Sequence, residues 1–254
     1  MQVTFGHLAR AAALALLALT AASSIAGAAE RVRFGVAEGD LVLPQGRGPF
    51  PAIVVLHSCL GPRADRDALG KTLSGWGYVA LFVDDFTSRG LTETCSVDFP
   101  QEAVDAGAAA GFLAARADVD SARIAALGFS QGGDAALAIA IGGAGAGRFR
   151  AAAALYPPCA NDGGRALKLP TLVIVGADDE VTPAADCRAL ANAQPAGQSR
   201  LTLLVYPGVG HGFDDPAFAG GKLLLGMRLA YDGAAARRGW DELRRFFAAN
   251  LSQR

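Results

Sequence analysis

Arg123-Ile124-Ala125-Ala126-Leu127-Gly128-Phe129-Ser130-Gln131-Gly132 runs from an apolar, strand-like segment into a second apolar stretch that continues from Asp134 to Ile141. Ser130 therefore stands at a strand-to-helix turn, where a nucleophile elbow belongs. Glycine at 128 and 132 removes Cβ atoms that would clash in so sharp a turn, which lets the hydroxyl project above a sheet on strained backbone. In a chain with 32 glycines the Gly-x-Ser-x-Gly spacing also arises by coincidence, as a glycine-rich turn with a surface serine. The flanking strand and helix patterns carry the weight, and they predict a serine hydrolase.

Outward from this stretch, short apolar runs recur at Arg31 to Val36, Leu41 to Leu43, Ala52 to His57, Tyr78 to Val83, Ala151 to Tyr156, Thr171 to Gly176 and Leu201 to Tyr206. From the third onward they are nearly continuous in Val, Ile, Leu and Ala, as expected of strands buried on both faces of a parallel sheet. Between them, Ala64 to Gly75, Pro100 to Ala115, Gln131 to Ile141, Pro183 to Asn192 and Gly239 to Leu251 carry apolar residues at helical spacing. The alternation predicts an α/β fold: a doubly wound, mostly parallel sheet of about eight strands flanked by helices, with an antiparallel edge. Ligands of such sheets bind beyond the carboxyl ends of the strands. Asp214 to Ala235 reads as a partly ordered loop over the site, in which Leu223-Leu224-Leu225 begins a short helix or forms part of a lid.

Residues 1–28 read as a secretory signal peptide: Arg10, the apolar run Ala11 to Ala22, then Ala26-Gly27-Ala28 as cleavage site. The run is shorter than the roughly 20 residues a membrane-spanning helix needs. Residues 29–254 then form a single domain. With 23 basic and 24 acidic residues spread along the chain, nothing suggests a nucleic-acid partner, and a small molecule is expected. The four cysteines all lie in the mature part, an even count that fits disulfides in the periplasm or outside the cell. Of the three possible pairings, Cys59 with Cys95 and Cys159 with Cys187 would each join loops at the carboxyl ends of neighbouring strands. No CxxC pair or histidine cluster accompanies them, so no metal is expected.

A serine hydroxyl needs a general base, and imidazole serves because its pKa lies near neutrality. Of the three histidines, His7 lies in the leader, His57 ends a strand before the nucleophile, and His211 follows the last strand candidate. The chain order nucleophile, acid, histidine selects His211, in Gly210-His211-Gly212-Phe213, and leaves His57 to orient its loop. The acid belongs at the strand end between them, where Asp178, Asp179 and Glu180 stand; spacing from Gly176 and to Pro183 favours Asp179. An oxyanion hole would use the N–H of Gln131 and one from His57 to Gly61, for which Cys59 is chosen.

From about Pro51 onward the chain resembles the dienelactone hydrolase family. The likeness rests on Gly128 to Gly133, on Gly176 with Asp179 and Pro183, on Gly210 to Phe213, and on Asp85-Phe86-Thr87-Ser88-Arg89. The resemblance implies an α/β-hydrolase fold, ester or lactone hydrolysis without metal or organic cofactor, and a Ser130, Asp179 and His211 triad. It also implies that Arg89 receives a substrate carboxylate; the alternative for Arg89 is an ion pair with Asp84, Asp85 or Glu93. Two departures stand out: Ser130 replaces the namesake enzyme's cysteine, and Asp214-Asp215 stand where a second substrate arginine is expected. The reading is therefore an exported serine hydrolase for a small ester or lactone other than dienelactone. Acyl transfer or peptidase chemistry by the same triad, and a catalytically silent binding protein, are the alternatives.

Overall fold

The structure is a computed structural model that describes residues 29–252 except 98, 100, 144, 163 and 197–199. The signal-peptide expectation for residues 1–28 lies outside the described residues, as does Pro100, the expected start of the second helix. The chain runs β1 (Glu30–Phe34), β2 (Ala37–Val42), β3 (Phe50–Leu56), α1 (Arg66–Gly75), β4 (Val79–Asp84), α2 (Gln101–Ala114) and β5 (Val119–Phe129). It continues through α3 (Gln131–Ala140), β6 (Ala151–Leu155), β7 (Thr171–Gly176), α4 (Ala184–Asn192), β8 (Leu201–Tyr206), β9 (Lys222–Leu224), β10 (Met227–Leu229) and α5 (Gly233–Asn250).

An eight-stranded sheet in the order β1-β2-β4-β3-β5-β6-β7-β8 is parallel from β4 to β8, with β1 and β2 forming the antiparallel edge. Side chains alternate with the two-residue strand period. Val54, Leu56, Leu81, Ala126, Ala152 and Val173 pack with residues of α2, α3 and α4 on one face. Ile53, Val55, Phe82, Leu127, Ala153 and Ile174 pack with residues of α1 and α5 on the other. The chain leaves β3 for β4 on one side and returns to β5 on the other, so a crevice opens at the carboxyl ends of β3 and β5. Among the described residues, no helix is long and apolar enough to cross a membrane.

Both expected disulfides form, Cys59–Cys95 and Cys159–Cys187. The stretch read as a partly ordered loop differs from expectation. Leu223-Leu224-Leu225 belongs to a β-hairpin, with Leu224 paired to Met227 around Leu225 (φ 51°) and Gly226 (φ 83°). Two successive positive φ values match the twist of flanking strands, which favours a hairpin over a helix. The final helix starts at Gly233 rather than Gly239, because Asp232 caps it by accepting from the N–H groups of Ala234 and Ala235, both at 2.9 Å.

Candidate active site

Ser130 joins β5 to α3 with φ 53° and ψ −113°. Such a conformation costs roughly 1–3 kcal/mol for a residue with a side chain. Hydrogen bonds hold it: Ser130 N–H donates to Leu155 O and Gly132 N–H to His57 O, both at 3.0 Å. The motif glycines permit the close approach this needs. A Cβ on Gly128 would lie 1.9 Å from Gly132 O, and one on Gly132 would lie 2.4 Å from His57 O.

The Ser130 Oγ lies 3.0 Å from His211 Nε2, and His211 Nδ1 lies 2.8 Å from Asp179 Oδ2; all three residues are buried. A carboxylate only accepts, so Nδ1 carries a proton and the Nε2 lone pair faces the serine hydroxyl. Asp179 is itself fixed: its Oδ1 accepts from the N–H groups of Val181 and Thr182 at 2.9 and 2.8 Å, and its Oδ2 from the Thr182 hydroxyl at 3.0 Å. Asp178 and Glu180 are exposed and turn away from this chain of bonds. Gln131 is the first residue of α3, where an N–H has no intrahelical acceptor. Cys59 follows Ser58 in a tight turn closed by Gly61 N–H donating to Ser58 O at 2.9 Å.

Two spaces meet at Ser130. An open groove of about 410 Å³ is lined by Cys59, Val97, Gln131, Val181, Leu225 and Met227, among others. A narrow one with about 20 Å³ of room is walled by Arg63, Phe129, Tyr156, His211, Phe218 and Leu229. Leu224 of the hairpin lines both. A larger depression of about 530 Å³ at the opposite end of the sheet, with Arg148, Arg150, Lys168 and Arg200, contains none of these groups.

Arg89 lines neither space beside Ser130. It forms an ion pair at 2.8 Å with Asp105 of α2 and donates to Asp85 O at 2.7 Å, so the partner is none of Asp84, Asp85 or Glu93 carboxylates. Asp84 is engaged elsewhere, by Arg31 and Thr87. The arginine that does reach the crevice is Arg63, buried over the Phe129 ring and held by Asp65 at 2.9 Å and Asp214 at 3.0 Å. Asp214 also accepts from the Tyr156 hydroxyl at 2.6 Å, and burial, opposed by Arg63, raises its pKa. Arg63, Tyr156 and Thr182 carry no motif signature. Their roles come from contacts between elements far apart in sequence.

Beneath the Ser58–Gly61 turn, His57 Nδ1 donates to Ser58 O at 2.8 Å and Nε2 lies 2.8 Å from Asp85 Oδ1 as an ion pair without hydrogen-bond alignment. Both ring nitrogens face acceptors, which favours the imidazolium. Burial opposes that charge, but Asp85 and Glu102 outweigh it and lift the His57 pKa to about 9. Glu102, fully enclosed and with neither oxygen hydrogen-bonded among the described residues, is pushed by burial to about 8, with His57 pulling the other way. Among the described residues, His57, Asp85 and Glu102 are the one group of three or more whose metal-ligand-type atoms lie within 4.8 Å of one another.

Residues 38–251 match the model of the dienelactone hydrolase family. A Methylorubrum extorquens protein named "Putative carboxymethylenebutenolidase" is 27% identical over 233 residues, 84% of this chain and 77% of that protein. Acyl-coenzyme A amino acid N-acyltransferase 1 of Mus musculus is 26% identical over 88% of this chain, which spans 65% of that longer protein. The crystal structure of a dienelactone hydrolase-like promiscuous phosphotriesterase from metagenomic libraries superposes with a TM-score of 0.73 at 23% identity, covering 89% of this chain and all of the other. This chain belongs to the dienelactone hydrolase family and is a hydrolase acting on ester bonds.

Proposed function

We propose that the chain is an exported serine esterase or lactonase that works through an acyl-serine intermediate. The observation that carries this reading is the unbroken contact from Ser130 Oγ through His211 to Asp179, at 3.0 and 2.8 Å. Ser130 Oγ attacks the substrate carbonyl while His211 Nε2 takes its proton. The tetrahedral oxyanion accepts from the N–H groups of Cys59 and Gln131. His211 then protonates the departing alkoxide, leaving the acyl group on Ser130. A water molecule, deprotonated by His211, attacks that ester; the acid leaves and Ser130 regains its proton. Asp179 keeps His211 in the working tautomer.

The preferred substrate is an uncharged small ester or lactone. Arg63 is engaged by Asp65 and Asp214, and Arg89 by Asp105, so neither guanidinium stands ready for a substrate carboxylate. Export is supported by the two disulfides and by the leader-like first 28 residues. Ser130→Ala is expected to lower hydrolysis of p-nitrophenyl acetate by at least about 1,000-fold and to abolish fluorophosphonate labelling. An unchanged rate would sink the assignment. Product analysis with added amine and alcohol acceptors separates hydrolysis from the acyl transfer named for the mouse relative: hydrolysis yields free acid throughout.

A further inference from the structure

The two amides given to the oxyanion lie on different parts of the chain, and one short segment touches both residues. The Thr94 N–H donates to Cys59 O at 2.9 Å, and the Thr94 hydroxyl donates to Gln131 Oε1 at 2.7 Å. The next residue, Cys95, is disulfide-bonded to Cys59. Thr94 is 3% exposed in a stretch where Thr92, Glu93, Ser96 and Val97 face solvent. A threonine is thus buried there with its hydroxyl aimed at a glutamine amide on the first turn of α3.

The backbone of Gln131 is held by the elbow, on the sheet side. The Cys59 turn lies off the sheet: Leu60 beside it is 41% exposed, and the open groove runs along it. Two N–H groups stabilise an oxyanion only while both stay about 2.7–3.1 Å from one point, so a small drift of one loop weakens the pair. Thr94 ties that loop to the helix start, and the Cys59–Cys95 bond ties it again.

We propose that Thr94 is a positioning residue for the oxyanion hole, and that Thr94 with the Cys59–Cys95 disulfide forms a strap fixing the spacing of the two donors. The proposal rests on the reading of Cys59 and Gln131 given above. Thr94→Val deletes the hydroxyl and keeps the shape and the backbone N–H. Its kcat on p-nitrophenyl acetate should fall about tenfold with KM changed less than twofold, and Thr94→Ser should restore most of the loss. Gln131→Leu removes the side-chain acceptor and keeps the amide. It should show the same loss, and the double variant Thr94→Val/Gln131→Leu should be no slower than either single one.

An unchanged kcat in Thr94→Val, a loss confined to KM, failure of serine to restore, or additive losses in the double variant would each overturn the strap. Ser130→Ala is run alongside. If that variant still hydrolyses the ester, the parent reading falls. If Ser130 is essential and Thr94→Val behaves as wild type, only the strap does.

Discussion

At the scale of single residues, the choice among three neighbouring acids turns on which one is desolvated and held. Asp179 is buried and accepts from the Val181 N–H, the Thr182 N–H and the Thr182 hydroxyl, as well as facing His211. Asp178, one residue earlier, is exposed. Asp179→Asn should lower kcat by about 1,000- to 10,000-fold by disturbing the imidazole tautomer. Asp178→Asn should stay within about twofold of wild type, because an exposed charge off the hydrogen-bond chain contributes little. Equal losses in steady-state assays of the two variants would contradict the assignment. Spacing alone could rank these acids, but only folding shows which one meets the histidine. Arg89 teaches the opposite lesson: the motif around it is legible, yet Asp105, sixteen residues on and on another element, takes up its charge.

Among the elements, the elbow was legible because its geometry is local. Gly128, Ser130 and Gly132 are close in sequence, and the steric need for glycine is met within the motif. The β9–β10 hairpin was not, because three consecutive leucines lack the alternation by which a strand is recognised. Its anchor is distant as well: Leu229 forms a bridge to His211, and Ala230 N–H donates to His211 O at 3.1 Å. The hairpin therefore covers the site with Leu224 inward, while Leu223 and Leu225 are 76% and 65% exposed. Leu224→Ala should lower kcat/KM for butyrate esters about tenfold through lost apolar contact, with Tm nearly unchanged. A large fall in Tm without a change in kcat/KM would show that the leucine serves packing alone.

Over the whole molecule, two buried groups make stability depend on pH in the same direction. Glu102 is raised from 4.5 to about 8 and His57 from 6.5 to about 9, so the folded chain holds protons that the unfolded chain has released. The stabilisation from each is complete below its unfolded value and is lost as pH rises through its folded value. Thermal stability should therefore decline from about pH 5 to pH 9, and Glu102→Gln should flatten the lower part of that decline. A Glu102→Gln profile parallel to wild type in calorimetry would refute the role of Glu102. The disulfides act on the unfolded chain instead, closing loops of 36 and 28 residues. Removing Cys159–Cys187 as a double alanine variant should cost about 3–4 kcal/mol in denaturant titrations.

By itself the sequence determined the sheet, the strand-to-helix turn at Ser130, the histidine that meets it and the cysteine pairing, because each depends on periodicity or on short spacings between strand ends. Tertiary structure alone decided that Asp105 takes Arg89, that Arg63 and Tyr156 wall the crevice, that a hairpin covers it, and that Thr94 bridges Cys59 and Gln131. These are contacts between side chains from separate elements, and which of them meet depends on how the helices and loops pack around the sheet.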